Sequence, residues 1–419
     1  MSDQSAQEET QPSAAPARSL RRELALFLVV ASALGMTSGI FETTFNNYLS
    51  DTFAISAAAR GRLEFPRELP GFLVTAVGGA LFFLSEVRLG VLATVGIALG
   101  LLGLAFVGDS YSLMVAFMFL WSAGAHLMMP VSSTVALSLA ERNNRATMMG
   151  RIGAFGMAAT ILGAGVVWAG LQYLHLSYRA MFLIAMCGAL VAAAFVSRLR
   201  PLPRRPGARP KLVIKRRYSL FYLLYALAGA RKQVFITFGP WVLIKVFHEP
   251  APTIAKLWIV AAAIGIFVLP QLGKLIDRVG ERAILMADGI ILVAVCMGYG
   301  FAEHLPLAHP VRLVYACYVL DNLLFATTIA RSTYLDKIAE KQEDIHASLS
   351  LGISLDHAVS MSIPALGGLL WEGQGYPYVF LAAAVIAVMS CAAASRLRVP
   401  RGHVEGTAPL PTEMLDLPP

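Results

Sequence analysis

The sequence predicts an all-α membrane protein with twelve transmembrane helices. Of its 419 residues, 57% are hydrophobic and only 14% are charged, a composition outside that of ordinary soluble domains. Twelve apolar runs follow one another along the chain, and each approaches the roughly 20 residues that an α-helix needs to cross a bilayer. Short polar segments, many of them rich in Lys and Arg, separate these runs as loops separate membrane spans.

Each apolar run justifies one predicted span. The predicted bounds are residues 24–49, 58–84, 89–108, 112–139, 147–171, 177–196, 218–246, 254–277, 282–303, 308–334, 348–371 and 376–395. Residues 1–22, which begin with a stretch rich in Ser, Gln, Ala and Pro, are predicted to be a disordered tail without a signal peptide. Residues 398–419 are predicted to be a second tail.

The distribution of charge predicts the orientation. An even number of spans places both termini on one side of the membrane. The linker between spans six and seven, residues 198–217, carries nine basic and no acidic residues, and loops of this kind stay in the cytoplasm. We therefore expect a multi-pass protein of the plasma or inner membrane with both termini cytoplasmic. The net charge of +8 then reflects orientation, and nucleic-acid binding is not expected.

The loop between spans eight and nine, residues 273–282, reads Gly-Lys-Leu-Ile-Asp-Arg-Val-Gly-Glu-Arg. Its basic residues place it on the cytoplasmic side. It resembles the Gly-x-Leu-x-Asp-Arg-x-Gly-x-Arg signature of the major facilitator superfamily of transporters, whereas an ordinary positive-inside loop is the alternative interpretation. The matching residues are Gly273, Leu275, Asp277, Arg278, Gly280 and Arg282.

This resemblance implies a major facilitator fold, in which two pseudo-symmetric six-helix bundles rock about a central site. A weak internal repeat agrees with it, because the Ser-Arg-Leu-Arg sequence at 197–200 recurs at 395–398. Trp168 and Trp371, which end spans five and eleven, repeat in the same way. The predicted bundles are residues 23–197 and 218–397.

The resemblance also implies a cytoplasmic gate. Asp277 of the signature is expected to stabilise the outward-open state by contacting the other bundle, where Arg151 or a helix N-terminus is the expected partner. The first half lacks an Asp-Arg pair at the equivalent position near Gly79, so we expect one such latch. Gly163 is followed by Ala164, not by the proline found in the drug/proton antiporters of the family, which disfavours a drug exporter.

Arg231 and Lys232 lie near the middle of span seven, where a charge is costly unless it faces a cavity or a partner. Adjacent residues point about 100° apart on a helix, so we expect at least one of them to face the central cavity and to bind solute. The alternative is a buried ion pair that only fixes helix packing. Gly239-Pro240 in the same span predicts a break where the helix could flex.

Spans ten and eleven supply acidic partners. Asp321-Asn322 is at the middle of span ten, and Asp356-His357 lies about a turn and a half into span eleven. A carboxylate at low dielectric can be made to titrate near neutrality, as a proton-coupled carrier requires. Static pairing with Arg231 or Lys232 is the alternative role for either carboxylate, and capping or bridging is the alternative role for His357.

Span two has too short an apolar part to cross the bilayer unless it includes Glu64, Arg67 and Glu68. These three residues share one helix face and are expected to line the cavity. If Pro70 instead starts the helix, they form only an outer lip; Pro66 and Pro70 otherwise kink it.

Further polar residues lie in spans one and four. Glu42, Asn46 and Asn47 are in the outer third of span one, and His126 is alone in span four. Each is either a solute ligand or an interhelical hydrogen-bonding group. The predicted solute-binding residues are Glu42, Asn46, Asn47, Arg67, His126, Arg231, Lys232 and Asn322. The proton-coupling candidates are Glu64, Glu68, Asp321, Asp356 and His357.

The leading functional hypothesis is a monomeric secondary transporter of a small polar or anionic solute, coupled to protons. Charged residues at mid-membrane in both halves favour it over a non-transporting sensor or scaffold on the same fold. An efflux antiporter of drugs or metabolites and a uniporter are further alternatives. The sequence has no Walker A pattern and no Cys-x-x-Cys spacing among its 4 cysteines, so no enzyme activity, cofactor, metal or disulfide is predicted.

The orientation is testable with reporter fusions. A fusion after Arg217 and one at the C-terminus are both expected to report the cytoplasm, because the basic linker holds that side inside. A fusion after Asp109, in a loop predicted to lie outside, is the control and should report the opposite side. An external C-terminus would contradict the predicted topology.

Overall fold

The computed structural model describes residues 14–80, 84–139, 145–200 and 215–398, and throughout them the regular structure is helical. The helices are α1 (Ala14–Phe53), α2 (Ala57–Ala80), α3 (Glu86–Phe106), α4 (Tyr111–Leu139), α5 (Arg145–Gln172), α6 (Tyr178–Val196), α7 (Ser219–Lys245), α8 (Ala251–Val279), α9 (Glu281–Phe301), α10 (Pro310–Leu324), α11 (Thr328–Ile338), α12 (Gln342–Gln374) and α13 (Tyr376–Ser395).

These helices form twelve segments, which confirms the predicted fold class. The tenth is interrupted, since a 3₁₀ turn at Phe325–Thr327 separates α10 from α11. Ten segments of the described chain are long and apolar enough to cross a membrane. Helices α2 and α7 are not among these ten, and both carry charged residues inside the helix.

Most helix bounds lie close to the predicted ones, and α1 is the main exception. It begins at Ala14, inside the stretch predicted to be a tail. Residues 1–13 of that tail, residues 201–214 of the basic linker and residues 399–419 of the second tail are outside the described residues. The predicted bundle bounds remain predictions.

The two halves pack in equivalent ways. In the first bundle, α1 contacts α5 and α6, and α3 contacts α4 and α6. In the second, α9 packs on α13, α7 packs on α12 and α13, and α10 packs on α8 and α9. The halves meet through α2 against α12 and through α5 against α8. These two pairs are equivalent in a parallel repeat, because span two corresponds to span eight and span five to span eleven.

Small residues allow the helices to approach closely. A Cβ atom at Gly39 would clash with the carbonyl oxygen of Thr160, so α1 and α5 touch through their backbones. Between the halves, a Cβ at Gly61 of α2 would clash with the carbonyl oxygen of Pro364 of α12. The two bundles are therefore in backbone contact along this stretch.

Further contacts between the bundles lie at the side predicted to face outward. Asn47 Nδ2 donates to the carbonyl oxygen of Glu249 at 3.0 Å. The backbone N–H of Ala58 donates to Glu372 Oε1, also at 3.0 Å. Together with the contact at Gly61, these bonds close the predicted outer side of the molecule.

The prolines do not break their helices. Pro240 lies inside α7, which is continuous from Ser219 to Lys245, so the break predicted at Gly239-Pro240 is wrong. Trp241, Val242 and Leu243, which follow Pro240, are fully buried. Their packing offsets part of the cost of the backbone hydrogen bond that Pro240 cannot donate. Pro70 lies in the interior of α2 and does not start it, so Glu64 and Glu68 belong to the helix proper.

The backbone contact between the bundles can be tested with a matched pair of glycine substitutions. Gly61→Ala is expected to lower the thermal unfolding midpoint, because the new methyl group meets the backbone of α12 and overpacking costs about 1–3 kcal/mol. Gly165→Ala in α5 is the control, since a Cβ there has no atom within 4 Å. Equal midpoints for the two variants would contradict the close approach of α2 and α12.

Candidate functional site

A network of charged side chains is centred on α2. Glu64, which is 0% exposed, accepts from Arg60 Nη1 at 2.5 Å and from Arg67 Nε at 2.7 Å. These residues are four and three positions from Glu64, so all three lie on one face of the helix. Arg67 Nη2 also lies 3.2 Å from Glu68 Oε1.

Helix α1 adds two groups to this network. Asn46 Oδ1 accepts from Arg60 Nε at 2.8 Å. Glu42, one turn earlier on α1, has its Oε1 3.8 Å from Arg67 Nη1. The predicted polar residues of spans one and two therefore come together in the first bundle.

Two hydrogen bonds carry the network into the second bundle. Gln233 Nε2 of α7 donates to Glu64 Oε2 at 2.6 Å. His357 Nδ1 of α12 lies 3.0 Å from Glu68 Oε2. Because both contacts end on α2, any rearrangement of the bundles must change them. We call these polar residues of α1, α2, α7 and α12, with the ones described next, the interface network.

Lys232 and Asp356 form the pair of the network that solvent reaches best. They make an ion pair between α7 and α12, and each side chain is 18% exposed, against 12% for Arg67 and 13% for Glu42. Lys232 is thus the more exposed residue of the predicted basic pair.

His126 of α4 lies at the edge of the network. Its Nδ1 is 2.9 Å from the carbonyl oxygen of Ser122, and its ring packs edge-on against His357 with centroids 5.3 Å apart. The interface network therefore consists of Glu42, Asn46, Arg60, Glu64, Arg67, Glu68, His126, Lys232, Gln233, Asp356 and His357.

Arg231 points away from this network. Its guanidinium lies 3.5 Å from Asp288 of α9 and 3.5 Å from Asp321 of α10, and the residue is only 4% exposed. Arg331 of α11 is buried nearby. Arg231 and Asp321 thus belong to an ionic cluster inside the second bundle, which is the static pairing given above as the alternative to solute binding and proton coupling.

Two predicted solute ligands are engaged elsewhere. Asn322 Nδ2 donates to the carbonyl oxygen of Tyr318 in its own helix, at 2.8 Å. Asn47 contributes to the closed outer side through Glu249. Among the described residues, neither side chain hydrogen-bonds to the interface network.

The gate signature lies on the surface at the predicted inner side. Asp277, Arg278 and Arg282 are exposed, and Asp277 makes no ion pair with any described residue. Gly280 has φ = 83°, a conformation that favours glycine, and it ends α8 and starts α9. Since the bundles are closed at the opposite side, the expected contact of Asp277 with the first bundle is not formed in this conformation. The gating role of Asp277 stays a prediction.

A surface group of ion pairs joins the inner ends of α7 and α12. Lys215 Nζ donates to Asp344 Oδ2 at 2.6 Å and to Glu340 Oε2 at 2.8 Å. These hydrogen bonds raise the pKa of Lys215. Tyr218 Oη donates to Asp344 Oδ2 at 2.8 Å. The group lies within the second bundle and fixes the end of the basic linker.

Sequence reasoning missed four residues: two of the interface network and two of the buried cluster around Arg231. Arg60 and Gln233 could have been found, because Arg60 is four residues from Glu64 and Gln233 adjoins the predicted basic pair. Asp288 and Arg331 lie near the ends of spans nine and ten, where a charge is expected to reach water, so their sequence positions gave no signal.

Comparisons with known proteins agree with this fold. A profile of the Major Facilitator Superfamily matches residues 71–355. A comparison with curated proteins gives no match. Three solved structures are similar: the nucleoside transporter NupG (15% identity, TM-score 0.72, 89% of this chain and 98% of that chain), a bacterial homologue of the human lysosomal transporter Spinster (16%, 0.65, 88% and 95%), and an auto-inhibited POT family peptide transporter (12%, 0.72, 94% and 100%).

The buried ionic cluster gives a stability prediction. Arg231→Met is expected to destabilise the protein by about 3–5 kcal/mol, because it leaves Asp288 and Asp321 buried without their shared cation. Adding Asp288→Asn and Asp321→Asn should recover much of the loss. The control is Arg312→Met, at an exposed arginine, and thermal unfolding of the purified variants is the measurement. An Arg231→Met protein as stable as the control would show that Arg231 is not needed for packing.

Proposed function

We propose, from the premise that this chain belongs to the major facilitator superfamily of transporters, that it is a secondary active transporter. It carries a small, polar, uncharged solute by alternating access and couples this movement to protons. The observation that supports the proposal best is the pair of hydrogen bonds Gln233–Glu64 and His357–Glu68, which link the two bundles through side chains that can also bind a solute.

These links are suited to a carrier because they can open without leaving a buried charge unpaired. When the bundles separate, Glu64 loses Gln233 and keeps Arg60 and Arg67. Glu68 loses His357 and keeps Arg67. An unpaired buried charge costs several kcal/mol, so retaining these partners lowers the barrier between conformations. A packing scaffold has no need for such a division of partners.

The balance of charge in the interface network supports an uncharged solute. The cations Arg60, Arg67 and Lys232 each have a carboxylate within ion-pair distance. An anion would have to displace one of these carboxylates, whereas hydroxyl, amine and amide groups can share the donors and acceptors already present. The similar solved structures, at 12–16% identity, show the fold alone, so the solute is argued from these residues.

A second candidate is a solute with an anionic group. It is favoured by Lys232, whose side chain is the most exposed cation of the network and has a single carboxylate partner, Asp356. An ammonium group at low dielectric holds an anion strongly, and a charge-assisted hydrogen bond contributes about 1.5–3 kcal/mol. In this case the solute would compete with Asp356.

We assign proton coupling to Asp321 of the buried cluster. Its carboxylate is 3% exposed and shares Arg231 with Asp288, each at 3.5 Å, which is long for an ionic hydrogen bond. A buried carboxylate favours its protonated form when its cation moves away. A small displacement of α7 relative to α10 can therefore exchange the Arg231 contact for a proton.

The charge of the solute can be decided with matched pairs of ligands. The purified protein is screened by thermal unfolding against uncharged solutes and their anionic counterparts, such as a sugar with its sugar acid or a nucleoside with its monophosphate. Only the uncharged member of one pair should raise the midpoint. At a concentration 100 times Kd, its binding adds roughly 2.7 kcal/mol to the free energy of unfolding. Glu64→Gln should weaken that binding about tenfold.

The opposite result identifies the second candidate. If the anionic member raises the midpoint and Lys232→Met removes this effect while Lys232→Arg keeps part of it, the solute is an anion held by Lys232. If no member of any pair raises the midpoint and proteoliposomes accumulate none of them, the sugars, nucleosides and their anionic counterparts in the screen are excluded as the cargo.

Proton coupling is tested in proteoliposomes with the solute so identified. An imposed pH gradient should accelerate uptake by the wild type, and Asp321→Asn should remove the acceleration while solute exchange without a gradient continues. Asp109→Asn, in an exposed loop, is the control and should respond like the wild type. A gradient response that survives Asp321→Asn would remove Asp321 from the coupling mechanism.

A further inference from the structure

Three potential metal ligands meet where the two bundles touch. A carboxylate oxygen of Glu68, a ring nitrogen of His126 and a ring nitrogen of His357 all lie within 4.8 Å of one another. Glu68 and His126 belong to α2 and α4 of the first bundle, and His357 belongs to α12 of the second. The group is at most partly exposed, and its members are separated in sequence by up to 289 residues.

His126 is held with one nitrogen free to act as a ligand. Its Nδ1 is 2.9 Å from the carbonyl oxygen of Ser122, which can only accept, and 3.1 Å from Ser122 Oγ, whose own proton is donated to the carbonyl oxygen of Arg67. Nδ1 therefore carries the proton. Nε2 therefore has a lone pair. A carbonyl bonded to the far nitrogen is the usual support of a metal-binding histidine, because it fixes both the tautomer and the ring orientation.

Gly71 provides the space in which the two rings meet. A Cβ atom at this position would lie 2.6 Å from Nε2 of His126 and 2.6 Å from Cε1 of His357. Any other residue would push the rings apart. The free nitrogen of His126 and the ring edge of His357 therefore face the same point on α2.

Glu68 is oriented in a similar way. Arg67 occupies its Oε1 at 3.2 Å, and its Oε2 is 3.0 Å from Nδ1 of His357. One oxygen is thus anchored and the other faces the histidines. Arg67 and Lys232 bring positive charge near the group, but Glu42, Glu64 and Asp356 in the same network offset it.

We propose that Glu68, His126 and His357 bind a transition-metal dication of Zn²⁺ type across the two bundles. Two imidazoles and a carboxylate form a ligand set that zinc uses, and three protein ligands leave one coordination position open. Bonds of about 2.0–2.2 Å require only that the three side chains close around the ion. Since one ligand comes from the second bundle, the bound ion holds the bundles in the closed-outside arrangement described above.

The test measures Zn²⁺ binding by calorimetry on the full-length purified protein, prepared without a histidine tag. The wild type should bind one Zn²⁺ saturably, and His126→Gln and His357→Gln should each weaken the binding at least about tenfold. His309→Gln, at an exposed histidine, is the matched control and should bind like the wild type. Thermal unfolding without metal shows that each variant is folded.

A second measurement reports the ligands directly. With Cu²⁺ in place of Zn²⁺, electron paramagnetic resonance should detect two histidine nitrogens in the wild type and one in either histidine variant. Equal affinity in the wild type and both variants would overturn the site. Loss of affinity with His126→Gln but not with His357→Gln would overturn the bridge between bundles. Neither measurement uses transport, so the result is independent of the proposed solute.

Discussion

The structure depends on supplying hydrogen-bond donors to the buried carboxylate of Glu64, which water does not reach. This carboxylate is fully buried and receives hydrogen bonds from Arg60, Arg67 and Gln233. Ionised groups in a bilayer are tolerated only when they are paired or face an aqueous cavity. Three donors from two bundles satisfy this requirement, and they fix the face that α2 turns toward α7 and α12. The positions of Glu68 and His357 follow from that orientation.

The second ionic cluster meets the same requirement in another way. Arg231, Asp288 and Asp321 are paired with one another by helices of a single bundle, so these ion pairs join α7, α9 and α10 without any group from the first bundle. The two adjacent residues of the basic pair therefore serve different purposes. Arg231 fixes its own bundle, and Lys232 joins the surface where the bundles meet. A helix can combine both because neighbouring side chains point about 100° apart.

Much of the fold could be predicted from the sequence, because a span is defined by length and apolarity, which are local properties. The twelve segments and the charged face of α2 are of this kind. The break between α10 and α11 was missed, because no Gly or Pro marks it. The sequence left the direction of Arg231 open, since it depends on Asp288, a residue that periodicity alone does not connect to it. The grouping of Glu68, His126 and His357 needs the tertiary contact of α2 with α12, which no local pattern contains.

The interruption of segment ten has a consequence for how motion passes through the second bundle. At Phe325–Thr327 the helical hydrogen bonds give way to local ones: Thr327 Oγ1 donates to the carbonyl oxygen of Leu324, and Thr328 Oγ1 donates to that of Phe325, both at 2.8 Å. A continuous α-helix transmits a tilt from one leaflet to the other as a rigid rod, whereas a 3₁₀ turn at mid-depth is a place where the two halves can bend relative to each other. The half on the α10 side and the half on the α11 side can therefore follow different neighbours. Spectroscopic labels on both halves are therefore needed to follow the movement of this segment.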